Sequence, residues 1–261
     1  MKAEVLLRYG GNMAEIRINK YLSEAGFCSR READRRIEAG EVYIDGVRAQ
    51  TGSKVLDHQE VTVDGKRITL GKDPFVLIAY NKPAGIVCTS EKREKNNIID
   101  YISYPCRIFP IGRLDKDSTG LILLTNQGEI VNKMMRSGNA HEKEYLVTVN
   151  KDVTPEFIEG MANGVPILDV VTRKCKVEKI GKRKFRIILT QGMNRQIRRM
   201  CEYFGYRVMA LKRVRVMNIS LGDLKEGTYR DVTKEELEKL MKMIEHSSNN
   251  PVRYIEDDEN E

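Results

Sequence analysis

From residue 75 onward the chain is strand-rich, and its elements do not follow the regular strand–helix–strand alternation of a parallel α/β sheet. Strand-like runs fall at 75–80, 121–125, 145–149, 165–171, 185–190 and 214–219. Helical runs fit 128–136, 154–162, 194–204 and 233–246. This order predicts an α+β domain built on a mixed, mainly antiparallel sheet.

A different pattern precedes it. Ile18 and Leu22 lie four apart, which predicts a short helix from Ile18 to Ala25 with Gly26 in the left-handed stop position. Ser29 opens a second helix, and Glu32 three residues on completes the signature of a capping box. Ala33 and Ile37 continue its apolar face until Gly40. Val42 and Ile44 lead into an Asp45-Gly46 turn, and Val61 and Val63 into Asp64-Gly65, both hairpin signals. These features predict a small α/β unit over residues 13–70, near the lower size limit for independent folding. Gly71, Lys72, Asp73 and Pro74 mark a linker at 71–75, ahead of the larger domain at 76–246. Residues 247–261 are Ser/Asn-rich, then acidic, and are expected to be disordered. The first twelve residues stand outside these patterns. Gly10-Gly11 could be a translated ribosome-loading sequence, which makes Met13 the expected natural start.

The formal net charge of +7 is compatible with a polyanionic partner without demonstrating one. No apolar run is long enough to span a bilayer, so no membrane partner is expected. The five Cys are scattered without a C-x-x-C pair, and the three His form no metal spacing with them. This predicts no structural metal, no disulfide framework and a reducing cytoplasm. Neither a G-x-G-x-x-G nor a Walker A pattern is present.

Three segments carry chemistry. Gly112-Arg-Leu-Asp-Lys-Asp-Ser-Thr-Gly120 is a polar loop that runs into the apolar Leu121–Leu124. Asp115 therefore sits at the edge of a core, on a loop held by a rigid element, with Arg113 and Lys116 beside it. Asp117 is a competing carboxylate, and a purely structural loop is the alternative. In the second segment, His141-Glu-Lys-Glu-Tyr145, Tyr145 offers a ring that can stack on a base, or simply a core tyrosine. In the third, Gln191-Gly-Met-Asn-Arg-Gln-Ile-Arg-Arg-Met-Cys201, Asn194 can cap the following helix. Arg195, Arg198 and Arg199 crowd early turns where the helix dipole disfavours cations, which points to anionic partners or else to a solvated stripe. On the smaller unit, Arg30, Arg31, Arg35 and Arg36 flank a helix start, where guanidinium forks and free amides suit phosphate. The bland reading there is a solvated face carrying an Arg30–Asp34 ion pair.

RINKYLSEAGFCSRREADRRIEAGEVYIDG resembles the small RNA-binding domain named after a small-subunit ribosomal protein. FPIGRLDKDSTGLILLTNQG, HEKEYLV, QGMNRQIRRM and NKPAGIVCT together resemble the pseudouridine synthases, in the branch that joins that small domain to a catalytic domain acting on ribosomal RNA. VPILDVVTRKCKV and RQIRRMCEYFGY are most similar to the large-subunit rRNA enzymes of type F. The resemblance implies isomerisation of a specific uridine in 23S rRNA, in a stem-loop or assembly intermediate, with transfer RNA as a possible second substrate. It implies a cofactor-free, monomeric enzyme. By that resemblance Asp115 is the catalytic aspartate, Tyr145 packs on the target uracil, and Arg198 holds the aspartate. Arg113 enters the stack that the flipped nucleotide leaves, while Arg30, Arg31, Arg35, Arg195 and Arg199 contact RNA. A non-catalytic RNA-binding or ribosome-assembly protein is the main rival, and the trio Asp115, Tyr145 and Arg198 argues against it.

Overall fold

The computed structural model describes residues 15–71, 74–91, 93–135, 140–245 and 247. The expected start at Met13, the linker residues Lys72 and Asp73, and the acidic tail after Ser247 lie outside the described residues. The chain divides into two units, Met1–Pro74 and Phe75–Glu261.

In the first unit β1 (Ile16–Arg17) leads into α1 (Ile18–Glu24) and α2 (Arg30–Ala39). Then follow β2 (Val42–Ile44), β3 (Val47–Arg48), β4 (Lys54–Val55), β5 (Val61–Val63) and β6 (Lys66–Ile68). β1 pairs with β4, and the other four strands form an antiparallel sheet in the order β3-β2-β5-β6. Asp45 and Gly46, like Asp64 and Gly65, all have positive φ, as the two-residue turns of these hairpins require. Ile18, Leu22, Ala33, Ile37, Val42, Val61 and Val63 form the core. The Ser29 hydroxyl accepts from the Glu32 amide at 3.2 Å, and Gly40 ends α2 in the left-handed conformation. The Arg30–Asp34 pair does not form: the Asp34 carboxylate instead accepts from the Asn19 side chain at 2.8 Å, because α1 packs against this face of α2.

The second unit runs β7 (Leu77–Lys82), α3 (Ile98–Ile102), β8 (Phe109–Ile111), β9 (Thr119–Thr125), α4 (Gly128–Met135) and β10 (Lys143–Val149). It continues with α5 (Pro155–Ala162), β11 (Pro166–Ile167), β12 (Val170–Val171), β13 (Lys176–Gly181), β14 (Lys184–Leu189) and α6 (Gln196–Tyr203). β15 (Val208–Val216), β16 (Ile219–Ser220), β17 (Tyr229–Asp231) and α7 (Lys234–Ile244) complete it. Its sheet has the order β13-β14-β10-β15-β9-β7-β17, with β8 beside β9 and β16 beside β15. Every pairing in that sheet is antiparallel except β9 with β15. The α+β class and the mainly antiparallel sheet expected from the sequence are thus observed.

Three expected strands differ in detail. The run 75–80 is displaced by two residues, to Leu77–Lys82. The run 165–171 is a tight hairpin, β11 and β12, because Leu168 and Asp169 both take positive φ and turn the chain back. The run 214–219 is the end of a longer β15 and its turn to β16, with Met217 at φ 53°.

The β9–β15 contact is a seam. Its register holds only Lys212↔Thr119 and Arg213↔Gly120 before the strands part. Gly120 is obligatory there: its φ is 98°, and a Cβ would lie 2.2 Å from the Arg213 carbonyl oxygen. One core cluster lies under β10, β14, α5 and α6, and two others cover the faces of β7 and β9. The loop that enters β9 therefore opens onto the seam between two packed half-sheets.

Candidate active site

Two buried cations hold this loop by its backbone. Lys82, fully buried, donates from Nζ to the carbonyls of Pro83 (2.7 Å), Ile86 (2.8 Å) and Lys116 (3.1 Å). Burial lowers its pKa, and nearby Cys88, Asp117 and Asp115 act in the opposite sense. Arg213, only 2% exposed, donates from Nε to the Leu121 carbonyl at 2.7 Å and from Nη1 to the Arg113 carbonyl at 3.5 Å. The Leu114 amide donates to Cys88 Sγ at 3.4 Å. Asp115 is thus presented by a loop fastened at both ends, the arrangement a precisely placed functional group needs.

Opposite stands α6. Its buried side chains Ile197, Met200 and Cys201 pack into the core, which fixes the direction of Arg198. Arg198 Nε lies 3.4 Å from Asp115 Oδ2, and its Nη2 donates to Ser118 Oγ at 3.3 Å. Arg195 Nη1 lies farther out, 3.9 Å from the same carboxylate oxygen. Arg199 turns elsewhere and donates to the Asn194 carbonyl (3.1 Å) and side-chain oxygen (3.4 Å). The helix start differs from the sequence expectation. Arg195, not Asn194, occupies the cap position, with a left-handed φ of 50° and no capping side chain, since the Asn194 oxygens are engaged by Arg199. A non-glycine residue held there costs about 1–2 kcal/mol, and the conformation brings Arg195 within reach of Asp115.

These groups line one cavity of about 530 Å³, within the usual range for a ligand cleft. Asp115, Arg113, Tyr145, Arg195 and Arg198 all face it. Tyr145 packs against core clusters on both sides of the seam, which leaves its ring on the cavity floor. Arg199 is not among the lining residues, and Arg30, Arg31 and Arg35 belong to the first unit. Sequence reasoning missed three cations: Lys82, Lys143 and Arg213, the last two also lining the cavity. Their signal was a Lys or Arg at an inward position of a strand whose other inward residues are apolar. Among the described residues no cluster of three or more His, Cys, Asp or Glu could hold a metal ion.

The RNA pseudouridylate synthase family model matches residues 76–203, and the S4 domain model matches 16–57. A dual-specificity RNA pseudouridine synthase, RluF, of Salmonella typhi is 59% identical over 89% of this chain and 81% of its own length. The chain belongs to the RNA pseudouridine synthase family. It is an isomerase with an S4 RNA-binding domain. The ribosomal large subunit pseudouridine synthase B of Bacillus subtilis is 31% identical over 89% of this chain and 98% of its own. A crystal structure described as a pseudouridylate synthase superposes with a TM-score of 0.64 at 27% identity, covering 86% of this chain and 99% of that one. No helix among the described residues is long and apolar enough to cross a membrane.

Proposed function

We propose that the cavity takes a uridine flipped out of 23S large-subunit ribosomal RNA and isomerises it with Asp115 as the catalytic carboxylate. The observation that carries this reading is the Arg198 Nε to Asp115 Oδ2 distance of 3.4 Å inside a cavity floored by Tyr145. The reaction breaks the bond between ribose C1′ and uracil N1, turns the freed base, and joins C5 to C1′. The C5 proton then leaves and N1 gains one, so the product is an isomer of the substrate. Asp115 answers the electron-poor sugar, either at C1′ or by accepting a sugar proton. Tyr145 stacks on the uracil and holds it through the turn. Arg198 fixes the carboxylate through charge and through the Ser118 contact. A target within folded RNA must leave its stack to reach such a pocket, and the exposed Arg113 at the rim is suited to fill the vacancy. Arg195 and Arg199 meet phosphate, as do Arg30 and Arg31 on the S4 domain, while Arg35, paired with Glu32 in the free protein, stands beside them.

The balance of atoms needs no redox partner and no group donor, so the chemistry calls for no cofactor. The dual-specificity name of the 59% identical relative favours a second RNA class, and we assign that place to transfer RNA. The enzyme acts as a monomer in the cytoplasm, which suits its five free cysteines. Asp115→Asn tests the central assignment. It keeps the shape of the side chain and removes its charge. Pseudouridine yield on 23S rRNA should vanish while RNA affinity at fixed salt holds. Substantial turnover by this variant refutes the assignment.

A further inference from the structure

Lys143 and Arg213 lie on the cavity floor with 7% and 2% exposure. Each is on the inward face of its strand, and Arg213 is the cross-strand partner of Tyr145, two residues from Lys143. Their recorded contacts are all backbone carbonyls: His141 for Lys143, at 3.2 Å, and Leu121 and Arg113 for Arg213. Among the described residues neither cation has a carboxylate within ion-pair distance. Arg213 Nη2 is buried with no hydrogen-bond partner at all. Two adjacent buried cations with no counter-ion are unfavourable, and a protein that keeps them in a ligand cavity has left the anion to the ligand.

The depth of the pair decides which part of the ligand it meets. Phosphates stay on the RNA strand at the rim, where Arg195 is 49% exposed at its side chain. The innermost floor receives the flipped base. When the C1′–N1 bond breaks, both electrons of that bond leave with the ring. The detached uracil is then an anion, its charge shared among N1 and the two carbonyl oxygens. We propose that Lys143, backed by Arg213, is a further catalytic residue: its ammonium donates to a uracil carbonyl oxygen and holds the charge of the detached ring. Bond formation returns the electron pair through C5 to C1′, the C5 proton leaves, and N1 takes up a proton, so the product is an isomer of the substrate. Lys143 itself is unchanged across the cycle. This inference rests on the reading of the cavity as the uridine site.

Burial, with the Arg213 charge beside it, lowers the Lys143 pKa to about 8. The groups around it are Arg213 on β15, Tyr145 on its own strand and His141 just before that strand, with Leu189 the apolar neighbour on β14. Burial and the Lys143 charge lower the His141 pKa, away from this window. Asp115, Arg198 and Cys88 form the other walls, and burial pushes the Cys88 thiol up, away from this window. Loss of the Lys143 proton should therefore appear as a basic limb in kcat/KM near pH 8, where the free enzyme titrates. In kcat the limb should move to higher pH, because the phosphates of bound RNA favour the charged ammonium.

The experiment compares the full chain with Lys143→Met, Lys143→Arg and Asp115→Asn, by single-turnover rate at saturating RNA, pH profile, RNA affinity and melting temperature. Lys143→Met should lose turnover by about 100-fold, the scale of removing one oxyanion donor, with RNA affinity unchanged. It should melt at a higher temperature, since it removes an unpaired buried charge, whereas loss of a merely structural lysine would lower it. Its residual rate should lack the basic limb. Lys143→Arg should recover part of the rate and carry no limb near neutrality. A full rate for Lys143→Met, or a loss that leaves the limb in place, overturns the proposal. If Lys143→Arg does not fold, the limb in the parent enzyme against its absence in Lys143→Met still decides. Activity in Lys143→Met with none in Asp115→Asn overturns this inference alone. Activity in both removes the reading of the cavity as well.

Discussion

Helix α2 of the S4 domain and the cavity of the synthase domain are both rich in cations, and they treat them in opposite ways. On α2, Arg35 pairs with Glu32, and Arg36 reaches Glu32, Glu41 and Asp64. Those pairs are at least one-third exposed on one side, so each contributes about 0–1 kcal/mol. In the cavity the carboxylates are fewer than the cations. Arg198 and Arg195 share one aspartate, while Lys143 and Arg213 rest on carbonyl oxygens. Charge neutralised within the fold serves the fold, and charge left over in a cavity is available to substrate. The Glu142, Glu144 and Arg215 cluster of the catalytic domain behaves like α2: Arg215 binds both acids at 3.0 and 2.8 Å and is not among the residues that line the cavity.

The largest effect that would break this contrast is at Arg198. Arg198→Ala leaves Asp115 with only the distant, half-exposed Arg195 and frees Ser118 Oγ. Turnover at saturating RNA should fall by about 100-fold or more, the order expected when one partner of a largely buried pair is lost. Arg199→Ala, on the same helix, loses only contacts to Asn194 and should keep a normal saturated rate. Equal losses in the two variants would show that the helix, rather than the charge facing Asp115, is what matters.

This distinction was only half legible in the sequence. Spacing along α6 separates Arg198 from Arg199, because successive helix residues point about 100° apart. The capping of that helix was not legible. Asn is a favoured cap, but here Arg199 occupies its oxygens, a contact five residues away that propensity does not register. The two S4 hairpins were readable because Asp-Gly has one favoured use between short strands. The hairpin inside 165–171 was not, since Leu168 and Asp169 take positive φ without a glycine. Lys143 and Arg213 were hidden for a related reason. In the sequence they sit among many charged neighbours, and only their burial in the folded sheet shows that these two turn inward.

A second test concerns stability. Lys143 titrates at about 8 in the folded protein against an ordinary 10.5. A lysine whose folded pKa is depressed disfavours folding at every pH below that value, and the cost is relieved as pH climbs toward the unfolded pKa. The difference corresponds to about 3 kcal/mol at pH 7. Lys143→Met should therefore be more stable than the parent by up to that amount at pH 7, and the advantage should shrink between pH 8 and 10.5. Denaturant titrations at three pH values measure it. A flat difference across that range would mean that the charge is compensated in the native state.

Gly120→Ala tests the seam itself. Its φ of 98° and the 2.2 Å approach to the Arg213 carbonyl leave no room for a methyl group. A loss of about 2–3 kcal/mol is expected from strain plus displaced backbone. Gly46→Ala in the S4 hairpin also has positive φ but meets nothing within 4 Å, so it should lose only about 1 kcal/mol. Comparable melting temperatures for the two variants would show that β9 and β15 can separate freely.

The smallest expected effect lies on α2 and sharpens the contrast from within one helix. Arg30 and Arg31 are exposed at its first turn, and no acidic partner is recorded for either among the described residues. Arg35 and Arg36, one turn on, are held by carboxylates. If unpaired cations are those kept for RNA, then Arg30→Ala and Arg31→Ala should each weaken binding uniformly across RNA sequences. Each should lower the slope of log affinity against log salt by about 1, without changing the melting temperature. Arg36→Ala should do the reverse: it costs about 1 kcal/mol of S4-domain stability through three lost pairs and leaves the salt slope alone. The two readouts, a salt titration and a thermal melt, separate the roles without reference to catalysis. An Arg36 variant with the larger drop in slope would mean that its carboxylates give way to phosphate on binding. Charge pairing in the free protein would then be a poor guide to which arginines RNA uses.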